Sequence, residues 1–101
     1  MKLFAHREVK EAKAHALAGG QALHVWTPPA AGWPGAPTCF QRSRQWAHLF
    51  DQDKARLEAT ARRLGVRKIV IHGDGAGQHV DLCGAPLKKA MIEAEGEEIH
   101  G

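Results

Sequence analysis

His48, His72, His79 and Asp81 are the residues whose types suit them best to chemistry. Imidazoles combined with a carboxylate can hold a divalent cation or share a proton. His79 and Asp81 are two apart, so an extended backbone turns both side chains to one face. His72 sits at the carboxyl end of an apolar run. The spacing of the four is not a zinc signature. They are therefore expected to hydrogen-bond polar groups of a ligand, with no metal and no cofactor.

Arg42, Arg44 and Trp46 form a second short group. Two guanidiniums separated by one residue can clamp an anion, and a nearby indole can stack on a base. Trp33, set among Pro and Gly, suits the lid or rim of a pocket. Gly73, Gly75 and Gly77 follow an apolar run, where backbone N–H groups can cradle a phosphate. A dinucleotide fingerprint would open a helix at that point, whereas this chain continues into Gln78-His79-Val80-Asp81. Cys39 and Cys83 lack CxxC spacing and any local pattern of a catalytic thiol. With no secretory segment read at the start, both are expected to be reduced core residues of a cytoplasmic protein.

Composition narrows the classes. A length of 101 residues allows one domain. Hydrophobic residues make up 44% and charged residues 25%, proportions of a folded globular chain. Much of the hydrophobic share is Ala, so the core is thin and self-association into a homo-oligomer would help it. The net charge of +3 is mild and its basic residues are scattered. An anionic small ligand fits that pattern as well as a nucleic acid does, since duplex-binding modules gather Lys and Arg in a stripe. Seven His against no Tyr make charge, and with it partner choice, sensitive to pH near about 6.5. The longest run of large apolar residues, Ile69-Val70-Ile71, is far short of the ~20 residues that span a bilayer, so no membrane partner is expected.

The elements that must position these groups follow from propensity and punctuation. Residues 4–18 are rich in Ala, Glu and Lys and stop at Gly19-Gly20, which predicts a helix. Residues 22–26 predict a strand, halted by Thr27-Pro28-Pro29. Residues 28–37 read as an irregular segment, and residues 39–50 have no clean period and fit either loop or short helix. Residues 52–64 predict a second helix with Asp51 as its cap. Residues 66–71 are β-branched and predict a second strand, and Pro86 opens a third helix closed by Gly96. The fold class is α/β: a small layer with a short sheet and a right-handed strand-helix-strand crossover. Residues 1–20 would be an added N-terminal helical extension to a single α/β domain over 21–101. Ligands in such sheets lie beyond the carboxyl ends of the strands.

Trp33-Pro34, Trp46-Ala47-His48-Leu49-Phe50-Asp51, Leu57, Ala61, Leu64-Gly65 and His79-Val80-Asp81-Leu82 together resemble the small bacterial and phage family catalogued as domain of unknown function 4031. The resemblance covers roughly residues 23–95 and implies a compact α/β domain without an established activity. Three departures stand beside it. Family members usually begin at the first strand; they often carry acids where this chain has Thr27-Pro28-Pro29; and their His-Tyr-Asp is His79-Val80-Asp81 here. The missing acids speak against a metal-dependent reading.

The leading expectation is a module that binds a phosphorylated small molecule, such as a nucleotide, and sequesters it. Arg42 and Arg44 would hold phosphate, Trp46 or Trp33 would stack, and His48, His72, His79 and Asp81 would bond polar groups. One alternative is a hydrolase on a nucleotide-like substrate, with His79 as general base oriented by Asp81. Another is a nucleic-acid or protein adaptor, the nucleic-acid form binding with steep salt dependence.

Overall fold

The computed structural model describes residues 1–27, 38–42 and 44–100, with side chains for all of these except Arg42 and residues 97–100. A four-stranded sheet has the order β1 (Lys2–Phe4), β2 (Gln21–Trp26), β3 (Trp46–Asp51), β4 (His79–Leu82). Among the described residues, four α-helices accompany it: α1 (Val9–Leu17), α2 (Thr38–Arg42), α3 (Lys54–Arg63) and α4 (Gly84–His100). The expected α/β class holds. β1 and β2 are parallel and joined through α1, whereas β2–β3 and β3–β4 are antiparallel. The strand-helix-strand unit therefore lies one element earlier than the sequence suggests.

Strand alternation divides the sheet into two unlike faces. One carries Leu23, Val25, Ala47, Leu49, Val80 and Leu82, packed on Leu57, Ala61 and Leu64 of the α3 region and Leu87, Ala90 and Ala94 of α4. Leu23, Leu49, Leu57 and Leu82 are wholly buried, each contributing roughly 1.5–3 kcal/mol of apolar burial. Asp53, not Asp51, caps α3 by accepting from the Arg56 N–H at 3.0 Å. Asp51 points into the core face instead. It is fully buried and accepts from Arg56 Nε and Nη2, both at 2.7 Å, from Gln21 Nε2 at 3.0 Å and from the Asp53 N–H at 2.9 Å.

The opposite face carries Phe4, Ala22, His24, Trp26, Trp46, His48, Phe50, His79 and Asp81, as the register places them. α1 covers part of it by seating Ala12 and Ala16 against Phe4, Ala22 and Phe50. Nine residues make a helix only about 14 Å long, so the rest of this face is left to the histidines and tryptophans.

Several expectations are corrected. The helix expected over residues 4–18 begins only at Val9, because Phe4 does better as a strand residue beside His24, with its ring buried under α1. Residues 1–20 thereby supply an edge strand and are part of the sheet. Residues 39–50, without a clean period, hold α2 and then β3, which pairs on both sides. The strand expected over residues 66–71 does not form. Val66, Ile69 and Ile71 pack on the core from an irregular segment, and the adjoining sheet position is taken by β4. The reduced thiols are also overturned: Cys39 and Cys83 form a disulfide that ties α2 to the end of β4. Their proximity depends on that unforeseen strand order. Among the described residues, no helix is long and apolar enough to cross a membrane.

Candidate metal centre

His48 on β3 lies opposite Asp81 on β4, and Phe50 lies opposite His79. Side chains two apart on one strand and directly across on the next thus meet on the open face. His79 Nε2 is 3.4 Å from Asp81 Oδ1, and His48 Nε2 is 3.7 Å from the same oxygen. One donor atom from each of the three lies within 4.8 Å of the other two. Atoms bound to one tetrahedral cation at ~2.0–2.2 Å are themselves about 3.4 Å apart. The three side chains are thus already near the spacing that a shared ion requires.

The hydrogen bonds behind the imidazoles decide which nitrogen each presents. His24 Nε2 lies 2.9 Å from the His6 carbonyl, which can only accept, so this nitrogen carries the proton. In neutral His24 the Nδ1 is then an acceptor, and His48 Nδ1 at 3.2 Å donates to it. That leaves His48 Nε2 bare and facing Asp81. In the same way, His79 Nδ1 donates to the Gly77 carbonyl at 2.7 Å and turns its Nε2 to Asp81. Fixing a ligand tautomer from behind through Nδ1–H is the usual outer support of metal-binding histidines.

Electrostatics sort the protons consistently. Burial, helped by the neighbouring His79 charge, pushes the His48 imidazole down to about 4. At His79 burial also works against charge, but the bonds to Asp81 and to the Gly77 carbonyl outweigh it and raise the pKa above the usual histidine value. Desolvation would raise Asp81. The His79 hydrogen bond and the nearby imidazoles overcome it and hold the carboxyl below its ordinary range. Of the three donors, His48 is thus neutral and Asp81 ionised near neutral pH, while His79 holds its proton more readily than an ordinary histidine.

A tight loop brings His79 into place. His72 and His79 exchange backbone hydrogen bonds, both 2.9 Å, closing residues 72–79 on themselves. Gly73 adopts φ +71°, and a Cβ there would come within 2.7 Å of the Gly77 oxygen, the same oxygen that orients His79. The glycine run thus shapes a turn that aims a histidine. Gln78 anchors the loop through its side-chain amide, which donates to the Asp51 carbonyl at 2.9 Å.

The expected site residues divide accordingly. His48, His79 and Asp81 converge; His72 stands at the margin, exposed, with Nε2 3.7 Å from Asp81 Oδ2. Trp46 is buried, and its Nε1–H donates to the Phe40 carbonyl at 2.7 Å, so it is a packing residue and not a stacking platform. Trp26, which sequence reasoning missed, stacks its indole on His48 at 5.4 Å between centroids. Arg44 is exposed; Trp33 and the Arg42 side chain lie outside the described residues. His24 and Lys13 were also missed. His24 is an alternating residue of the expected strand, which is the signal that places it on one face with Trp26. Lys13 stands on α1 with Nζ 5.9 Å from the Phe50 ring centre.

A separate cleft of about 410 Å³ opens beside β1, lined by Phe4, His6, Val25, Trp26 and Met91 among others. It shares Trp26 with the cluster but contains none of the three donors. Set against known protein families, curated proteins and solved structures, the chain matches none of them, so the donor geometry carries the functional argument alone.

Proposed function

We propose that this domain is a divalent-metal-binding module whose centre is His48 Nε2, His79 Nε2 and the Asp81 carboxylate. The observation that supports it is the bond pattern behind the donors: both imidazoles spend Nδ1–H inside the protein and present Nε2 to one carboxylate. A hydrogen-bonded ligand pocket has no need of two imidazoles braced at Nδ1 with both Nε2 atoms turned to one carboxylate oxygen, where a metal ion would displace the His79 proton. Two imidazoles and one carboxylate suit zinc or another first-row divalent ion. Three protein ligands leave a coordination position for water or a small ligand, the arrangement of reactive centres more than of structural ones. The metal reading replaces His79 as a general base, because its Nε2 is engaged at the centre.

Titration of the folded protein with Co²⁺, followed by its visible absorption, tests this. One equivalent is expected to bind with the bands of a low-coordinate site, and His79→Ala and Asp81→Asn each to weaken binding at least tenfold while the circular dichroism spectrum is retained. Absence of stoichiometric binding, or binding indifferent to both substitutions, overturns it.

A further inference from the structure

We infer that the open position of the centre takes a phosphate-type oxyanion, held jointly by the metal and by Lys13. The inference rests on the metal reading above and adds the ligand class and the residue that selects it.

The first support is charge. The donor set supplies one negative charge, from Asp81, against two positive charges on a divalent ion. Lys13 adds a third positive charge beside it. Its Nζ lies 5.9 Å from the centre of the Phe50 ring, and that ring is 5.5 Å from His48 and 5.4 Å from His79. A loaded centre therefore carries an excess of about two positive charges, which a phosphate dianion balances and a carboxylate only halves.

The second support is access. α1 meets the sheet through Ala12 and Ala16, and Lys13, the next residue along the helix, is exposed. The helix thus walls the donors without covering them. The 72–79 loop packs against α1 through its Gly75–Gly77 turn and borders the donors through His72, and the Trp26 indole closes a further side against His48. The Asp81 side chain is 37% exposed, so an anion arriving from solvent over this face meets the metal with the flexible Lys13 ammonium nearby. Arg42 and Arg44, the clamp expected from sequence, are not needed.

The test uses the Co²⁺-loaded protein with inorganic phosphate, and with acetate in a parallel arm. Phosphate is expected to shift the visible bands and to bind more tightly than acetate, while metal-free protein binds it far more weakly. Loss of a charge-assisted contact in Lys13→Gln is expected to lower phosphate affinity about tenfold and to leave Co²⁺ affinity within a few-fold; Lys13→Arg is expected to retain most of the binding. Phosphate binding unchanged in Lys13→Gln, equal without metal, or no tighter than acetate overturns this inference and leaves the metal centre standing. Failure to bind Co²⁺ overturns both.

Discussion

His24 Nδ1 lies 3.2 Å from His48 Nδ1, with the two rings parallel to within 3°. His24 is 3% exposed and tied to the His6 carbonyl, so a buried imidazole with a dictated tautomer sets the tautomer of its partly buried neighbour.

Substituting His24→Phe removes the acceptor behind His48. Loss of such outer support is expected to weaken Co²⁺ binding ten- to a hundredfold. In ¹⁵N NMR spectra at neutral pH, His48 is expected to be the Nδ1–H tautomer in the native protein and a mixture in the variant. An unchanged tautomer with unchanged affinity would remove His24 from the centre.

Acid stability is expected to depend on His48. Its folded pKa is about 4 against about 6.5 unfolded, so the unfolded chain takes up the proton first. The contribution is complete above about 6.5 and is lost as pH falls towards 4. It amounts to the order of 1–2 kcal/mol once solvent screening at this partly exposed ring is allowed for. His79, raised, acts in the opposite sense, being fully stabilising below about 6.5 and losing that contribution above its folded pKa. Urea denaturation across this range is expected to show a shallower acid slope for His48→Gln than for the native protein, and an equal slope would refute the assignment.

Asp51 is expected to be the most costly polar residue to lose. Its carboxylate is fully buried, and Arg56, Gln21 and the backbone at Asp53 converge on it. Asp51→Ala strips the Asp53 N–H and one Gln21 amide hydrogen of their acceptor while the partly exposed Arg56 turns to water, at a cost of roughly 1–3 kcal/mol, read as a lower urea midpoint with little change of slope. Arg62→Ala, removing an exposed helical pair with Glu58, is expected to cost under about 0.5 kcal/mol.

Breaking the Cys39–Cys83 bond frees a loop spanning 44 residues. In the chain-entropy account this costs about 2–4 kcal/mol. Cys39→Ser with Cys83→Ser is expected to unfold at correspondingly lower urea, and dithiothreitol to bring the native protein to the same midpoint. No effect of the reductant would show that the thiols are unpaired.

Gly73→Ala forces a Cβ onto the Gly77 carbonyl in a left-handed backbone. A loss of roughly 1–3 kcal/mol is expected from the strained conformation, together with weaker Co²⁺ binding because the acceptor that orients His79 must move. Gly75→Ala, with open space around its Cβ but the same backbone sign, is expected to cost stability while sparing metal affinity. Calorimetry of both variants with and without Co²⁺ separates the two effects.

Much of the local structure is legible in the residues alone. β2 stops before Pro28, α3 begins behind an Asp and ends before Gly65, and α4 carries Pro86 in its first turn. These are signals that a backbone reads within a few residues. The pair His79 and Asp81 also belongs to the sequence, since a two-residue step on any strand places both on one face. What the tertiary structure decided is which strand that is. Residues 66–71 have the stronger β propensity, yet residues 79–82 take the edge, because only there do Val80 and Leu82 reach the core while His79 and Asp81 meet Phe50 and His48. The same register sets His24 behind His48 and brings Lys13 over Phe50 from a helix that reads, on its own, as plain surface. Pairing across strands is a sum over many weak contacts distant in sequence, and no local pattern contains that sum.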